Sequence, residues 1–297
     1  MRKQFRLALI GLIFLVLHMM GIAVAVSPAQ GRSPAGLDPA LLPKILAETG
    51  AYCEKLKTMA LNYTCAETIS ERIAEFAIRI SHRLFAEGDA VEGFMDGLRV
   101  DKMVRNSFIY DYQMIKKEDT FTEKRDLVEE DGRIKSEKGV PLKTMRVSIR
   151  YLVFGPVGFL SRAWQPYFNY VLAGRDKVDG QKAIILAASP VKARDENNYS
   201  GRVWVSESDY SILKIEWEPG SIPGFVDRVV SDAGTLRRKM TMTTVYGTVK
   251  NKIRFPSTQV IEERYILGAD KEYVKYRAEY RYDRFKYFTV ETAVDVR

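Results

Sequence analysis

The chain has 297 residues, 46% hydrophobic and 28% charged, with a formal charge of +8. That balance excludes a disordered or fibrous chain and leaves room for one large domain or two small ones. With only two histidines and two cysteines, and His18 falling in the apolar N-terminal segment, a zinc site built on two or three histidines is excluded, and a nucleophilic triad would have to use His82 without a Gly-x-Ser-x-Gly elbow near any serine.

The N-terminus reads as an export signal. Arg2, Lys3 and Arg6 form its positive end, Leu7 to Leu17 its apolar segment, and Ala23-Val24-Ala25 a small-x-small cleavage pattern that places the cut after Ala25. The alternative is an uncleaved anchoring helix, because Leu7 to Val26 reaches the roughly 20 residues that cross a bilayer. On either reading the folded part is expected outside the cytoplasm, in the periplasm or secreted. Residues 26–37, rich in Ser, Pro, Gly and Ala, are expected to form a flexible leader, and residues 38–297 a single domain. Loss of Arg2, Lys3 and Arg6 takes the formal charge from +8 to +5. That mild excess leaves contact with an anionic membrane surface open, while no Lys/Arg cluster is dense enough to suggest nucleic acid.

Asp38-Pro39 has the form of a helix start, with Asp at the N-cap and Pro at the first helical position. Leu42, Ile45, Leu46, Thr49, Cys53, Leu56, Met59 and Ala60 then recur at three and four, which predicts a helix from about 39 to 60. The following Asn62 to Ile69 is rich in β-formers. In an oxidising compartment Cys53 and Cys65, with 11 residues between them, are expected to form a disulfide that ties this helix to the first strand. Ile69, Ile73, Phe76, Ile80 and Leu84 suit a helix ending at Gly88, although Phe76, Ile78 and Ile80 also alternate as a strand would; the helix is the reading taken for 70–84.

Past residue 105 the period becomes two. Phe108, Tyr110, Tyr112 and Met114 alternate with Ile109, Asp111, Gln113 and Ile115, and a charged turn at 116–119 leads into a strand over 121–128 that ends at Glu130-Asp131-Gly132. Met145, Ile149, Leu152 and Val153 predict a second helix over 144–154, broken by Gly155-Pro156-Val157-Gly158. Phe168, Tyr170 and Leu172 alternate before a turn at Asp179-Gly180, and 183–188 reads as a buried strand. Val203 and Val205 answer Leu213, Ile215 and Trp217 across a polar turn, and 236–249 with 253–265 forms a long hairpin. Val274, Tyr276, Ala278, Tyr280 and Tyr282 face one way and the intervening charged residues the other, the mark of a sheet wet on one side and covered on the other.

Carboxylate acid/base chemistry has Glu129, Glu130, Glu262 and Glu263 as candidates, but the first two flank a turn and the last two fall on opposite faces of one strand. Calcium loops and glycine-rich phosphate cradles are absent from the sequence. No catalysis, no metal and no cofactor are therefore expected. The abundant aromatic residues, 16 Tyr, 14 Phe and 3 Trp, serve either as core or as the lining of a groove for an apolar ligand.

The stretch Tyr170 to Arg175, Val178-Asp179-Gly180, Ala183 to Leu186, Pro190, Gly201-Arg202-Val203-Trp204-Val205 and Ile212 to Ile215 resembles the middle of periplasmic lipoprotein-carrier and sorting proteins, the LolA, LolB and RseB-like group. That resemblance covers about 50 residues, with a looser likeness over 246–290, and it implies an incomplete antiparallel barrel around helices, export, and no catalysis. The chain is longer than that pattern and adds the cysteine pair and the 70–95 stretch. The expected fold is mainly β (α+β), an incomplete antiparallel β-barrel or curved sheet covered by an N-terminal helix and one or two inner helices. The expected function is binding or carriage of a lipid, an acyl chain or a lipidated peptide. Trp164, Phe168, Tyr170, Trp204 and Trp217 are the candidate ligand contacts. The rivals are an envelope structural or signalling module that binds a protein partner, and a carboxylate hydrolase.

Overall fold

The computed structural model describes residues 37–60, 62–83, 92–117, 120–144, 155–192, 200–218, 228–231, 234–268 and 271–287. Helix α1 (Leu41–Met59) follows the predicted apolar spacing, burying Ile45, Thr49, Cys53 and Leu56. Its start differs by two residues. Asp38 does not cap the helix itself but a preceding turn, where its Oδ1 accepts from Ala40 N–H at 2.9 Å and its carbonyl from Leu41 N–H at 3.0 Å.

Fourteen strands follow among the described residues, and twelve of them form one antiparallel sheet. In chain order these are β1 (Tyr63–Arg83), β2 (Glu92–Lys117), β3 (Thr120–Glu130), β4 (Arg133–Glu137), β5 (Phe168–Val178), β6 (Gln181–Pro190), β7 (Gly201–Ser206), β8 (Ile212–Trp217), β9 (Arg228–Ser231), β10 (Gly234–Val245), β11 (Thr248–Lys250), β12 (Ile253–Phe255), β13 (Thr258–Leu267) and β14 (Lys271–Tyr287). Their order across the sheet is β4-β3-β2-β1-β14-β13-β10-β8-β7-β6-β5, with β9 appended to β10. The sheet is not closed into a barrel: β4 and β5 stand at its two ends. The fold is the incomplete barrel or curved sheet that was expected.

The turns carry the chemistry their sequences promised. Asp131-Gly132 between β3 and β4 and Asp179-Gly180 between β5 and β6 each have two consecutive positive φ values, the two-residue hairpin that matches strand twist. The expected long hairpin is real at its base, where β10 pairs β13, but its tip departs from the sheet as a separate ribbon, β11 with β12. That ribbon turns at Asn251-Lys252, both with positive φ. Strand β4 was not anticipated; its exposed, charged sequence carries no buried face.

The helix expected over 70–84 is a correction. Residues 70–83 belong to β1, which pairs with β2 from Tyr63↔Met114 to Arg83↔Glu92 and with β14 from Tyr63↔Tyr287 to Ile73↔Tyr276. The misreading has a physical origin: the inner face of β1 runs Glu67, Ile69, Glu71, Ile73, all buried, so two inward glutamates erase the apolar alternation that marks a half-buried strand. The helix expected over 144–154 lies outside the described residues for all but Thr144. At its expected break stands instead a short helix, α2 (Gly155–Leu160). Pro156 is tolerated there because the first turn of a helix has no intrahelical acceptor for its missing N–H.

The main core lies on the inner face, between the sheet and the two helices. Phe108, Tyr110, Tyr112 and Met114 of β2 and Tyr276, Ala278, Tyr280 and Tyr282 of β14 all point into it, with Tyr246, Phe255 and Phe159. A smaller cluster of Ala183, Trp204 and Leu213 covers the opposite face of β6 to β8.

Candidate functional site

The inner face under α2 is an aromatic nest. Phe159 of α2 is fully buried, its ring 4.6 Å from that of Trp217 and 5.3 Å from that of Phe168. Phe168 in turn lies 6.1 Å from Tyr170. The Tyr170 hydroxyl donates to the main-chain carbonyl of Phe159. Burial and the nearby Cys53 thiol hold that phenol above its ordinary value, so it remains a hydrogen-bond donor throughout the physiological range.

These contacts follow from strand alternation. Phe168, Tyr170 and Leu172 share one face of β5, while Trp217 ends β8 opposite Gly201 of β7. Gly155 allows α2 to sit directly on β8 and Tyr246, since a Cβ there would come within 2.7 Å of the Tyr246 hydroxyl and 3.4 Å of Trp217 Cζ2.

Helix α2 is tied to α1 by two side chains. Gln165 Nε2 donates to Leu46 O and to Leu160 O, both at 2.7 Å. Cys53 Sγ donates to Pro156 O at 3.5 Å. The expected disulfide is a further correction: Cys53 and Cys65 are both free and buried rather than joined, and the Cys53 thiol is engaged by the Pro156 carbonyl of α2. Burial pushes the Cys53 thiol up to about 12, and burial likewise raises Cys65, so neither is a thiolate at neutral pH.

Of the five aromatics expected to share a site, the structure brings together Phe168, Tyr170 and Trp217. Trp164 stands at the rim, 39% exposed, with its ring 5.8 Å from that of Tyr167. Trp204 lies on the other face of the sheet, since it alternates with the inward Val203 and Val205. There its indole Nε1 donates to Asp176 Oδ2 at 3.0 Å and Lys214 Nζ sits 3.5 Å from its ring centroid. Phe159, the centre of the nest, was missed; its glycine- and proline-bearing segment reads as a break, and nothing in its local spacing marks it as buried.

Elsewhere the inner face carries charge. Glu67 accepts from Arg125 Nε at 2.6 Å, with side-chain exposures of 0% and 11%, and Tyr112 donates to Glu123 at 2.6 Å. Burial disfavours the Arg125 guanidinium, but the Glu67 carboxylate outweighs it, so Arg125 is raised above its ordinary value. Glu263 accepts from Arg238 Nε at 2.8 Å. Glu262, on the opposite face as expected, accepts from Arg277 at 2.8 Å and Arg264 at 2.6 Å. Glu130 is held by Lys143 at 3.1 Å. Each of these glutamates is thus engaged by a base rather than aimed at another carboxyl across a cleft. Among the described residues no group of three His, Cys, Asp or Glu is arranged to hold a metal.

No family model and no curated protein matches the chain. Solved structures do, at low identity. A LolA superfamily protein from Nitrosomonas europaea is 11% identical over 83% of this chain and 94% of its own, with a TM-score of 0.32. A putative outer membrane lipoprotein-sorting protein domain from Vibrio parahaemolyticus is 15% identical over 85% and 94%, with a TM-score of 0.35. A DUF1329 family protein from Desulfovibrio piger is 9% identical over 85% and 95%, with a TM-score of 0.33.

Proposed function

We propose that the protein is an exported, non-catalytic binding protein for an apolar ligand, an acyl chain, a lipid or a lipidated peptide, taken up on the inner face of the open sheet. In this reading residues 1–25 are the export signal, 26–37 the leader and 38–297 the binding domain. The observation that carries it is the place of Phe159: one apolar ring, on a helix of six residues, fills a nest built by Phe168, Tyr170 and Trp217 from the strands.

A helix that short has no cooperative stability of its own and is held by its tertiary contacts. Here those are the hydrogen bonds from Tyr170, Gln165 and Cys53 together with the ring contacts. Helix α2 therefore acts as a plug, and withdrawal of Phe159 leaves an aromatic pocket that an alkyl chain of the same width re-fills with little loss of dispersion contact. No acid, base or nucleophile is needed in that exchange.

The test is to extract the purified protein with organic solvent and identify the extract by mass spectrometry, alongside titration with a fluorescent fatty acid. Lipid in the extract, tighter probe binding by Gln165→Ala, which loosens the plug, and weaker binding by Trp217→Ala support the reading. An extract without lipid, together with no probe binding by either the protein or Gln165→Ala, overturns it.

A second reading rests on one further observation. Trp164, Tyr167, Val171 and Val191, 39%, 47%, 50% and 51% exposed, lie at the start of β5 and the end of β6, where β5 is also the open edge of the sheet. That corner suits a protein partner that adds a strand to the edge. Binding of a partner with unchanged affinity after Trp217→Ala, and its loss after Val171→Lys, would favour that role.

A further inference from the structure

The outer face of the sheet, opposite the nest, carries a row of like charges that the fold does not require. Arg72 of β1 is paired in register with Arg105 of β2 on one side and Arg277 of β14 on the other. Along the same face Ser70 is opposite Glu279 and then Thr68 is opposite Arg281. All four arginines are on the solvent side: Arg72, Arg105 and Arg281 are exposed and Arg277 half-buried, while Ile73, Tyr276 and Tyr282 next to three of them are buried. Directly opposed like charges on adjacent strands are destabilising, so three arginines abreast call for a counter-charge.

Part of it is present. Arg277 Nη1 is 2.8 Å from Glu262 Oε2, a carboxylate shared with Arg264, and Arg281 Nη2 is 2.7 Å from Glu279 Oε1. Arg72 and Arg105 form no ion pair with any described residue, so the row keeps an excess of two positive charges. Between them the side chains of Thr68, Ser70, Arg72, Arg277, Glu279 and Arg281 line a depression of about 390 Å³. Its hydroxyls and guanidinium N–H groups are donors, and its one carboxylate is already engaged by Arg281.

We infer that this depression binds a phosphate group, held by Arg72 with Arg277 and Arg281 of β14 beside it and Ser70 and Thr68 beneath, while Arg105, the partner of Arg72 on β2, adds its charge from the next strand. Phosphate fits the donor set: guanidinium presents parallel N–H bonds to two oxygens of a tetrahedral anion, and hydroxyls supply the rest. Two sources offer that chemistry, the headgroup of an anionic phospholipid and a soluble phosphate. The site lies on the face of the sheet opposite the aromatic nest, so it stands or falls apart from the binding function proposed above.

The experiment compares the wild-type protein with Arg72→Gln/Arg105→Gln, which removes the two uncompensated charges and leaves the Arg277–Glu262 and Arg281–Glu279 pairs in place. A control variant, Arg133→Gln/Lys138→Gln, removes equal charge from exposed positions elsewhere. One arm titrates inorganic phosphate at constant ionic strength by calorimetry. The other measures cosedimentation with phosphatidylcholine vesicles with and without phosphatidylglycerol.

Binding in the phosphate arm that falls about tenfold or more in the arginine variant, and stays in the control, establishes a site for soluble phosphate. The same pattern in the phosphatidylglycerol arm alone establishes a headgroup site. Because the variant relieves repulsion, its melting temperature is expected to be unchanged or higher, so lost binding is not lost folding. No binding in either arm, or binding reduced equally by the control, overturns the inference.

Discussion

The rings of Phe159 and Trp217 lie 4.6 Å apart, centroid to centroid, and so a residue of a six-residue helix and the last residue of β8 share one packing site. Phe159→Leu keeps an apolar plug and should cost about 1–2 kcal/mol, whereas Phe159→Ala vacates the nest and should cost about 3–5 kcal/mol. Denaturant unfolding of both variants checks the order. Addition of a saturating fatty acid should recover a larger part of the loss in the alanine variant, because only there is the space free for an alkyl chain.

Arg125 and Glu67 form a nearly dry ion pair on the inner face. Breaking it by Arg125→Met leaves a buried carboxylate without its counter-charge, with an expected loss of about 3–5 kcal/mol. Replacing both, as Arg125→Met with Glu67→Leu, should recover most of that loss, since two apolar side chains fit a core already lined by Tyr110 and Tyr282. A double-mutant cycle from urea unfolding measures the coupling; additive losses in the double variant would remove the pair from the list of interactions that matter for the fold.

The same pair shows what was and was not legible in the sequence. Where the inner face is purely apolar, as at Phe108, Tyr110, Tyr112 and Met114, alternation alone placed the strand and its buried side. Where Glu67 and Glu71 point inward, the pattern degraded and β1 read as a helix beyond Ser70. A charged residue becomes an inner residue only when a partner such as Arg125, 58 positions away, arrives across the sheet, and no local spacing records that. The aromatic cluster followed the same logic: composition and alternation singled out Phe168, Tyr170 and Trp217, which lie together, Trp204 lies on the other face because its parity is opposite to that of Val203, and Phe159 was hidden in a segment that reads as a break.

Among the described residues Gly201 is the one glycine at which a Cβ is excluded by a neighbouring main chain. It stands opposite Trp217, and a Cβ there would collide with the carbonyl of Glu216. Gly201→Ala should therefore push β7 from β8, at an expected cost of about 1–3 kcal/mol, and shift Trp217 against Phe159. Lower thermal stability with altered tryptophan emission is the expected outcome; an unchanged melt would show that the two strands are not in contact at this point.

Glu262 supplies a pH dependence whose sign is fixed. Burial acts to raise its carboxyl, hydrogen bonds from Arg277 and Arg264 act to lower it, and the lowering prevails. A carboxyl held below its unfolded value of about 4.3 stabilises the fold in full above that pH, and the contribution is lost as pH falls through the lower folded value. Thermal melts from neutral to acid pH should fall more steeply for the wild-type protein than for Glu262→Gln below about pH 4.3. Parallel curves for the two proteins would exclude Glu262 as a source of acid sensitivity.

Cys53 and Cys65 are free thiols, buried on α1 and β1, and burial keeps both protonated. A thiol reagent attacks the thiolate at an accessible sulfur, so the native protein should react slowly at both positions and the urea-unfolded protein quickly. Alkylation under denaturing conditions without reductant should add two groups per chain, and the melting temperature should not change when a reductant is present. A disulfide would give the opposite on both counts: no alkylation before reduction, and a melt lowered on reduction by the loss of about 3 kcal/mol of loop-closure stabilisation. Cys53→Ser separates the packing role from any redox one. It replaces the weak donor to Pro156 O by a stronger one in a site shaped for sulfur, so native-state alkylation of Cys65 should stay slow while α2 keeps its place over Trp217.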